Sequence, residues 1–347
     1  MQISDRKIGP DERPYVIAEM SGNHNQSLER ALEIVDAAAL NGADAIKLQT
    51  YTADTMTLDV RMPGFVIDDP KSLWAGRQLY ELYQEAYTPW EWHKPIMERA
   101  AAHGMHCFSS PFDATAVDFL ESLGVAAYKI ASFEIIDLPL IRKAASTGKP
   151  MIISTGMATA GEIEDAVMAA REAGCRQLML LKCTSTYPAK AENTNILTIP
   201  HMREMFGCQV GLSDHTMGSG VAVASVALGA TLIEKHFTLA RSDGGVDSAF
   251  SMEPDELRRL VEDLENARLA LGRISYGATE AERKSLSLRR SLYIAKDVKA
   301  GEVLDHTSVR AVRPGHGLSP KFIDFVIGRR VSRDAPAGTP VGWDLLA

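Results

Sequence analysis

The chain has 347 residues, 46% of them hydrophobic and 24% charged, enough for one large domain plus a small one without a disordered tail. A formal charge of −8 and the lack of any Lys/Arg run exclude an extended nucleic-acid face. The start MQISDRKIGPDERP is too polar for a secretory signal, and the run VAVASVALGATLI is too short to cross a bilayer, so a cytoplasmic protein with no membrane partner is expected.

Eight short, near-continuous apolar runs alternate with helical patterns: 15–20, 45–50, 106–111, 127–132, 151–156, 178–183, 209–214 and 232–237. Runs of this texture suit parallel strands covered by helices outside and packed side chains inside. Between them lie amphipathic stretches such as SLERALEIVDAAALNG and GEIEDAVMAAREAG, each closed by Gly. Eight such units over 1–272 predict a (β/α)8 TIM barrel. An open doubly wound sheet is the alternative, but no G-x-G-x-x-G follows the first strand. The long spacing between the second and third strands holds two helical patterns, SLWAGRQLYELYQEAY and PWEWHKPIMERAAAHG, and is expected to shape a pocket. A polar linker over 273–290 leads to a small β-rich domain over 291–347, with β-like pieces SLYIAKDV, SVRAVRP and RRVSRD. Cys107, Cys175, Cys183 and Cys208 show no paired spacing, and Cys107 and Cys183 read as buried reduced thiols.

In a barrel of this kind the active site is assembled where the strands end. Glu19 closes the first strand; Lys47 and Gln49 share a face of the second. Ser109 and Ser110 end the third, Lys129 and Ser132 the fourth, Ser154 and Thr155 the fifth, Ser213 and His215 the seventh, and His236 the eighth. Two lysines and a set of hydroxyls on one mouth suit a small ligand bearing phosphate and carboxylate. His215 and His236, at the ends of consecutive strands, are candidate ligands for a divalent metal. Two imidazoles leave room for water and substrate oxygens, which suits Mn²⁺ or Mg²⁺ better than a closed structural zinc. Glu134 is a candidate proton carrier, and Asp247 a residue that orients a substrate hydroxyl or a metal-bound water.

The strings AEMSGNHNQSLERALEIVDAAALNGADAIKLQTY, FSSPFD, YKIASFE, STGMAT, CTSTYPA, GLSDHT and EKHFT resemble the sialic acid synthase family, and VRPGHG resembles its antifreeze-like (SAF, β-clip) domain. The resemblance covers essentially the whole chain. It implies condensation of phosphoenolpyruvate with an acylated amino sugar in a domain-swapped homodimer. By motif, Lys47, Ser110, Lys129, Ser132, Ser154 and Ser213 would hold phosphoenolpyruvate, and His215 and His236 the metal. Glu19, Gln49, Tyr187 and Asp247 would surround the sugar, Glu134 would shuttle a proton, and Arg313 would reach the partner's site to bind the acyl group. The sialic branch has His at Lys182, Asn at Ser185 and Gly-Pro-Asp where this chain reads Gly-Gly-Val-Asp. The run RSDGGVDSAFSMEP looks instead like the pseudaminic acid synthase branch, which would use 2,4-diacetamido-2,4,6-trideoxy-L-altrose; Ser185, shorter than Asn, would alter the hydrogen bonds offered to the sugar. N-acetylneuraminic or legionaminic acid synthesis is the alternative. A metal-dependent aldolase would not need the C-terminal Arg-Pro-Gly, and a non-catalytic carbohydrate-binding protein would not need the ring.

Overall fold

A computed structural model describes all 347 residues. Eight parallel strands close on themselves: β1 (Tyr15–Glu19), β2 (Ala45–Thr50), β3 (His106–Pro111), β4 (Tyr128–Ile130), β5 (Met151–Ser154), β6 (Leu178–Cys183), β7 (Gln209–Ser213) and β8 (Leu232–His236), with β8 paired to β1. Each strand pairs with its sequence neighbour, the order that right-handed crossovers produce in a TIM barrel.

Strand pleating sends alternate residues inward. Tyr15, Ile17, Phe108, Ile152, Met179, Leu181 and Leu232 fill the lower barrel, and Ile3 and Ile8, flanking an N-terminal hairpin turn, close it from below. The outward residues, such as Val16, Ile46, Ile130 and Ile153, pack under the helices. Local signals stop and start those helices. Ser27 caps Leu28–Leu40, Thr159 and Glu162 form a capping box on Ala160–Glu172, and Gly124 and Gly207 end their helices in the left-handed conformation.

The β2–β3 insertion departs from its sequence reading. The first helical pattern is helical only over Leu79–Ala86, because Gly76 turns with φ +79° and Val66 bridges Gln78. The second forms a short 3-10 turn followed by the helix His93–Ala102.

Two compact units make up the chain, Met1–Gly272 and Arg273–Ala347. In the second, residues 273–290 are exposed throughout, with a 3-10 turn over Arg283–Leu288. Strands β9 (Ser291–Ile294) and β10 (Val309–Val312) pair antiparallel above a core of Leu292, Ile294, Val309, Val326, Val331 and Val341. The piece RRVSRD forms no strand; Arg330 and Val331 make only single antiparallel bridges. No helix is long and apolar enough to cross a membrane.

Candidate active site

Above the apolar layers the inward positions turn polar: Glu19 on β1, Lys47 and Gln49 on β2, Ser110 on β3, Lys129 on β4, Ser154 on β5, Ser213 on β7, and Glu234 and His236 on β8. Lys47 and Lys129 are almost wholly buried, as are Glu19 and Glu234. Buried charges of this kind persist only when paired. Lys47 Nζ lies 2.5 Å from Glu19 Oε2 and 3.9 Å from Glu234 Oε1, and Lys129 Nζ lies 3.5 Å from the same Glu234 oxygen. Lys129 also donates to Ser154 Oγ (2.7 Å), Lys47 to Ser110 Oγ (3.4 Å), and Ser213 Oγ to Glu234 Oε1 (3.0 Å). Gln49 Nε2 donates to Glu19 Oε1 (2.9 Å) and Ser21 Oγ (3.2 Å), and Ser21 donates to Asp247.

The electrostatics follow from burial and these partners. Burial pushes the Glu19 carboxyl up to about 7, against the pull of Lys47. Burial also works against charge on Glu234, but Lys129 and Lys47 more than offset it, and its carboxyl ends below the ordinary value. Burial lowers Lys129, while Glu234 opposes the fall. On Lys47 the two carboxylates overcome burial and the ammonium is held up. Glu134 sits in the turn Ser132–Ile136; burial raises its carboxyl to about 7, and its Oε2 has no hydrogen-bond partner.

Ser132 Oγ accepts from the Gly156 amide (3.1 Å), and a Cβ at Gly156 would overlap both Ser132 Oγ and Ser185 Oγ, so all three meet at the end of β5. Tyr187 packs against His215 with ring centroids 4.5 Å apart and planes tilted by 51°, and against Phe250 at 5.2 Å. The insertion reaches across: Trp74 Nε1 donates to Val246 O (2.9 Å) and its ring lies 6.0 Å from Tyr187.

Of the seventeen site candidates singled out from the sequence, fourteen therefore gather at the barrel mouth. Arg313 belongs to the second unit, where it is exposed and lines a concavity of about 320 Å³ with Tyr293 and Arg310. Two ring members turn away. Ser109 faces outward to Thr50 Oγ1 (2.6 Å), which continues to His93 Nε2 (2.7 Å), and Thr155 Oγ1 donates to Leu181 O. Lys182 also turns away, its Nζ on its neighbour's carbonyl, Cys183 O. Glu234 was missed, although the alternation in LIEKH places it on the face of His236. An open groove of about 810 Å³ between residues 191–201 and the helix Gly220–Ala227 holds none of these residues.

The histidines fit a metal held partly by other ligands. The ring centroids of His215 and His236 are 5.3 Å apart. His215 Nδ1 bonds to Thr184 O (2.9 Å), which leaves Nε2 with its lone pair. His236 Nδ1 is buried without a hydrogen-bond partner, with Asp247 Oδ2 at 3.9 Å. Burial above all holds the His236 imidazole well below its ordinary range, so it stays neutral, the form that ligates. No group of three or more His, Cys, Asp or Glu closes around a single point.

This geometry can be set beside known proteins. The pseudaminic acid synthase of Helicobacter pylori is 44% identical over 335 residues, covering 95% of this chain and 97% of that protein. The N,N'-diacetyllegionaminic acid synthase of Legionella pneumophila is 35% identical over 354 residues, covering 98% of each. The crystal structure of the spore coat polysaccharide biosynthesis protein SpsE from Bacillus subtilis superposes with a TM-score of 0.68 at 31% identity, covering 100% of this chain and 99% of that one. The SAF domain profile matches residues 289–347, and the NeuB family profile matches residues 34–276. With the family profile over most of the barrel and the SAF profile over the β-rich unit that follows it, the chain belongs to the NeuB family.

Proposed function

We propose that the protein is a pseudaminic acid synthase that condenses phosphoenolpyruvate with 2,4-diacetamido-2,4,6-trideoxy-L-altrose and releases phosphate. The observation that carries the reading is the buried pair Lys47 and Lys129, bridged by Glu234 and ringed by Ser110, Ser132, Ser154 and Ser213. The 44% identity to a pseudaminic acid synthase, against 35% to a legionaminic one, supports the choice of branch.

Lys47 and Lys129 neutralise the phosphate and carboxylate of phosphoenolpyruvate, and the serine hydroxyls orient its enol face toward the open-chain sugar aldehyde. C3 of the enol attacks the aldehyde carbon, and positive charge develops at C2. The Glu134 carboxylate takes the proton from the water that adds at C2 and passes it to the alkoxide left by the aldehyde oxygen; the tetrahedral phosphate hemiketal then collapses to the C2 ketone, its hydroxyl proton leaving with the phosphate. Glu19, Gln49, Ser185, Tyr187 and Asp247 line the sugar's side of the mouth. A divalent ion, Mn²⁺ or Mg²⁺, held by His215 and His236, would supply Lewis-acid polarisation of the aldehyde.

The reading includes a homodimer in which Arg313 serves the partner's site. Residues 273–347 carry 13 Lys and Arg against 8 Asp and Glu, a net +5, which leaves −13 on residues 1–272. Exposed Phe133, Ile136, Met157 and Met217 sit on loops that follow β4, β5 and β7 and are suited to burial against a second chain. Four free thiols fit a reducing compartment, and we place the reaction in the cytoplasm.

The test is phosphate release from phosphoenolpyruvate with a panel of 2,4-diacetamido and N-acetyl sugars and Mn²⁺, with products identified by mass spectrometry. Turnover of the L-altrose sugar is expected to exceed that of the others; preference for a legionaminic or neuraminic precursor would overturn the branch, and no phosphate release with any sugar would overturn the reaction. With ¹⁸O in the bridging position of phosphoenolpyruvate the label should leave in phosphate, and its retention at the product's C2 oxygen would mean attack at phosphorus.

A further inference from the structure

Lys235 faces away from the barrel interior and takes no part in the chemistry above, yet it is only 2% exposed. Its ammonium donates to Asp214 Oδ2 (3.0 Å), Thr216 O (2.5 Å) and Gly218 O (3.1 Å). All three donors of a lysine are thereby used. One carboxylate and two carbonyls make the cage a small monovalent cation would occupy, filled here by a tethered ammonium.

The cage encloses the loop that carries His215. Its acceptors lie on both sides of that residue, and the loop turns at Gly218 with φ +74°. Asp214 Oδ1 accepts from the Thr216 amide (2.9 Å), so the carboxylate held by Lys235 also fixes the chain just beyond His215. The loop is also held by the bonds Asp214 N to Glu234 O, Ala189 N to His215 O and His215 Nδ1 to Thr184 O, which tie it to neighbouring segments but not to its own far end. Without the ammonium, a carboxylate and two carbonyls would be left buried and underbonded, a condition relieved only by moving the loop.

We propose that Lys235 is a positioning residue: its ammonium acts as a built-in cation that sets residues 214–218 and so aims the His215 imidazole at the ion it shares with His236. This rests on the reading of His215 and His236 as metal ligands. Residues that orient a ligand from behind are worth about 10- to 100-fold in metal affinity.

The test measures Mn²⁺ binding to metal-free, full-length protein by electron paramagnetic resonance of the free ion. Lys235→Ala and Lys235→Met should bind about 10- to 100-fold more weakly than wild type, with faster hydrogen exchange at the amides of 215–219. Ammonium chloride should restore affinity in Lys235→Ala, which has room in the cage, but not in Lys235→Met, whose side chain fills it; tetramethylammonium chloride should restore neither. Wild-type affinity in both variants, or a loss in Lys235→Ala that ammonium does not reverse, would overturn the inference. Should Lys235→Ala not fold, Asp214→Asn keeps the lysine and removes its carboxylate, and wild-type Mn²⁺ affinity there would equally overturn it. His215→Ala separates the two readings: if it binds Mn²⁺ normally the metal assignment fails, whereas if it loses Mn²⁺ while the Lys235 variants keep it, only the role of Lys235 fails.

Discussion

Replacing Glu234 by Gln keeps the shape of the side chain and removes the charge between the two lysines. The separations of 3.5 Å to Lys129 and 3.9 Å to Lys47 correspond to about 4–5 kcal/mol each at an effective dielectric of about 20. The two losses are unequal in effect. Lys47 keeps Glu19 at 2.5 Å, but Lys129 loses its only carboxylate and retains Ser154 Oγ. Removing one partner of a buried pair typically costs about 3–5 kcal/mol, since the other charge stays buried. At about 2 °C per kcal/mol for a chain this large, the ligand-free variant should melt roughly 6–10 °C below wild type. Phosphoenolpyruvate brings its own negative charge to the same lysines, so it should raise the melting temperature of Glu234→Gln by several degrees more than that of wild type. Differential scanning fluorimetry with and without phosphoenolpyruvate reads both effects. A variant that melts within a degree of wild type, or gains no more than wild type from the ligand, would refute the picture of Glu234 as the lysines' countercharge.

Four further outcomes are expected. Buried His24 and His93 have pKa values lowered by burial to about 4; the unfolded chain takes up their protons first, so stability is complete above about 6.5 and about 3 kcal/mol per histidine is lost as pH falls to about 4. Urea unfolding at pH 7 and pH 5 checks this, and a flat profile would contradict it. Glu134, raised to about 7 by burial, acts as a carboxylate; kcat should rise through pH 7, and Glu134→Gln should lose that limb and about 10²–10⁴-fold in rate with little change in KM for phosphoenolpyruvate. Gly156→Ala should displace Ser132 and Ser185 and raise that KM, with Gly156→Ala/Ser185→Ala partly recovering it; steady-state kinetics with wild-type values for Gly156→Ala would show the site has slack. Chelation should abolish turnover and Mn²⁺ or Mg²⁺ restore it, while His236→Ala should weaken Mn²⁺ binding measured by calorimetry; full activity in chelator would remove the metal from the proposal.

Short apolar runs with Gly stops between them were enough to read eight strands, because strand periodicity and helix ends are local properties of a few consecutive residues. The same local logic exposed most of the mouth: in a parallel barrel every strand's C-terminal residue must emerge on one face, so Lys47, Lys129, His215 and His236 could be grouped before any contact was seen. Three features needed the closed barrel. Glu234 shares its strand's inward face with His236, but its place between Lys47 and Lys129 depends on β2, β4 and β8, which are far apart in the chain and meet only across the barrel. Ser109 and Thr155 sit beside true ring members, and only pleat register sends them outward to Thr50 and Leu181. Lys235, next to His236, carried no signal in the sequence, and only the fold buries it against Asp214 and two carbonyls outside the barrel. Residue type and spacing determined which chemistry this chain could collect at one face; which charge pairs with which was decided by tertiary closure, since a buried ion finds its partner through space and not along the chain.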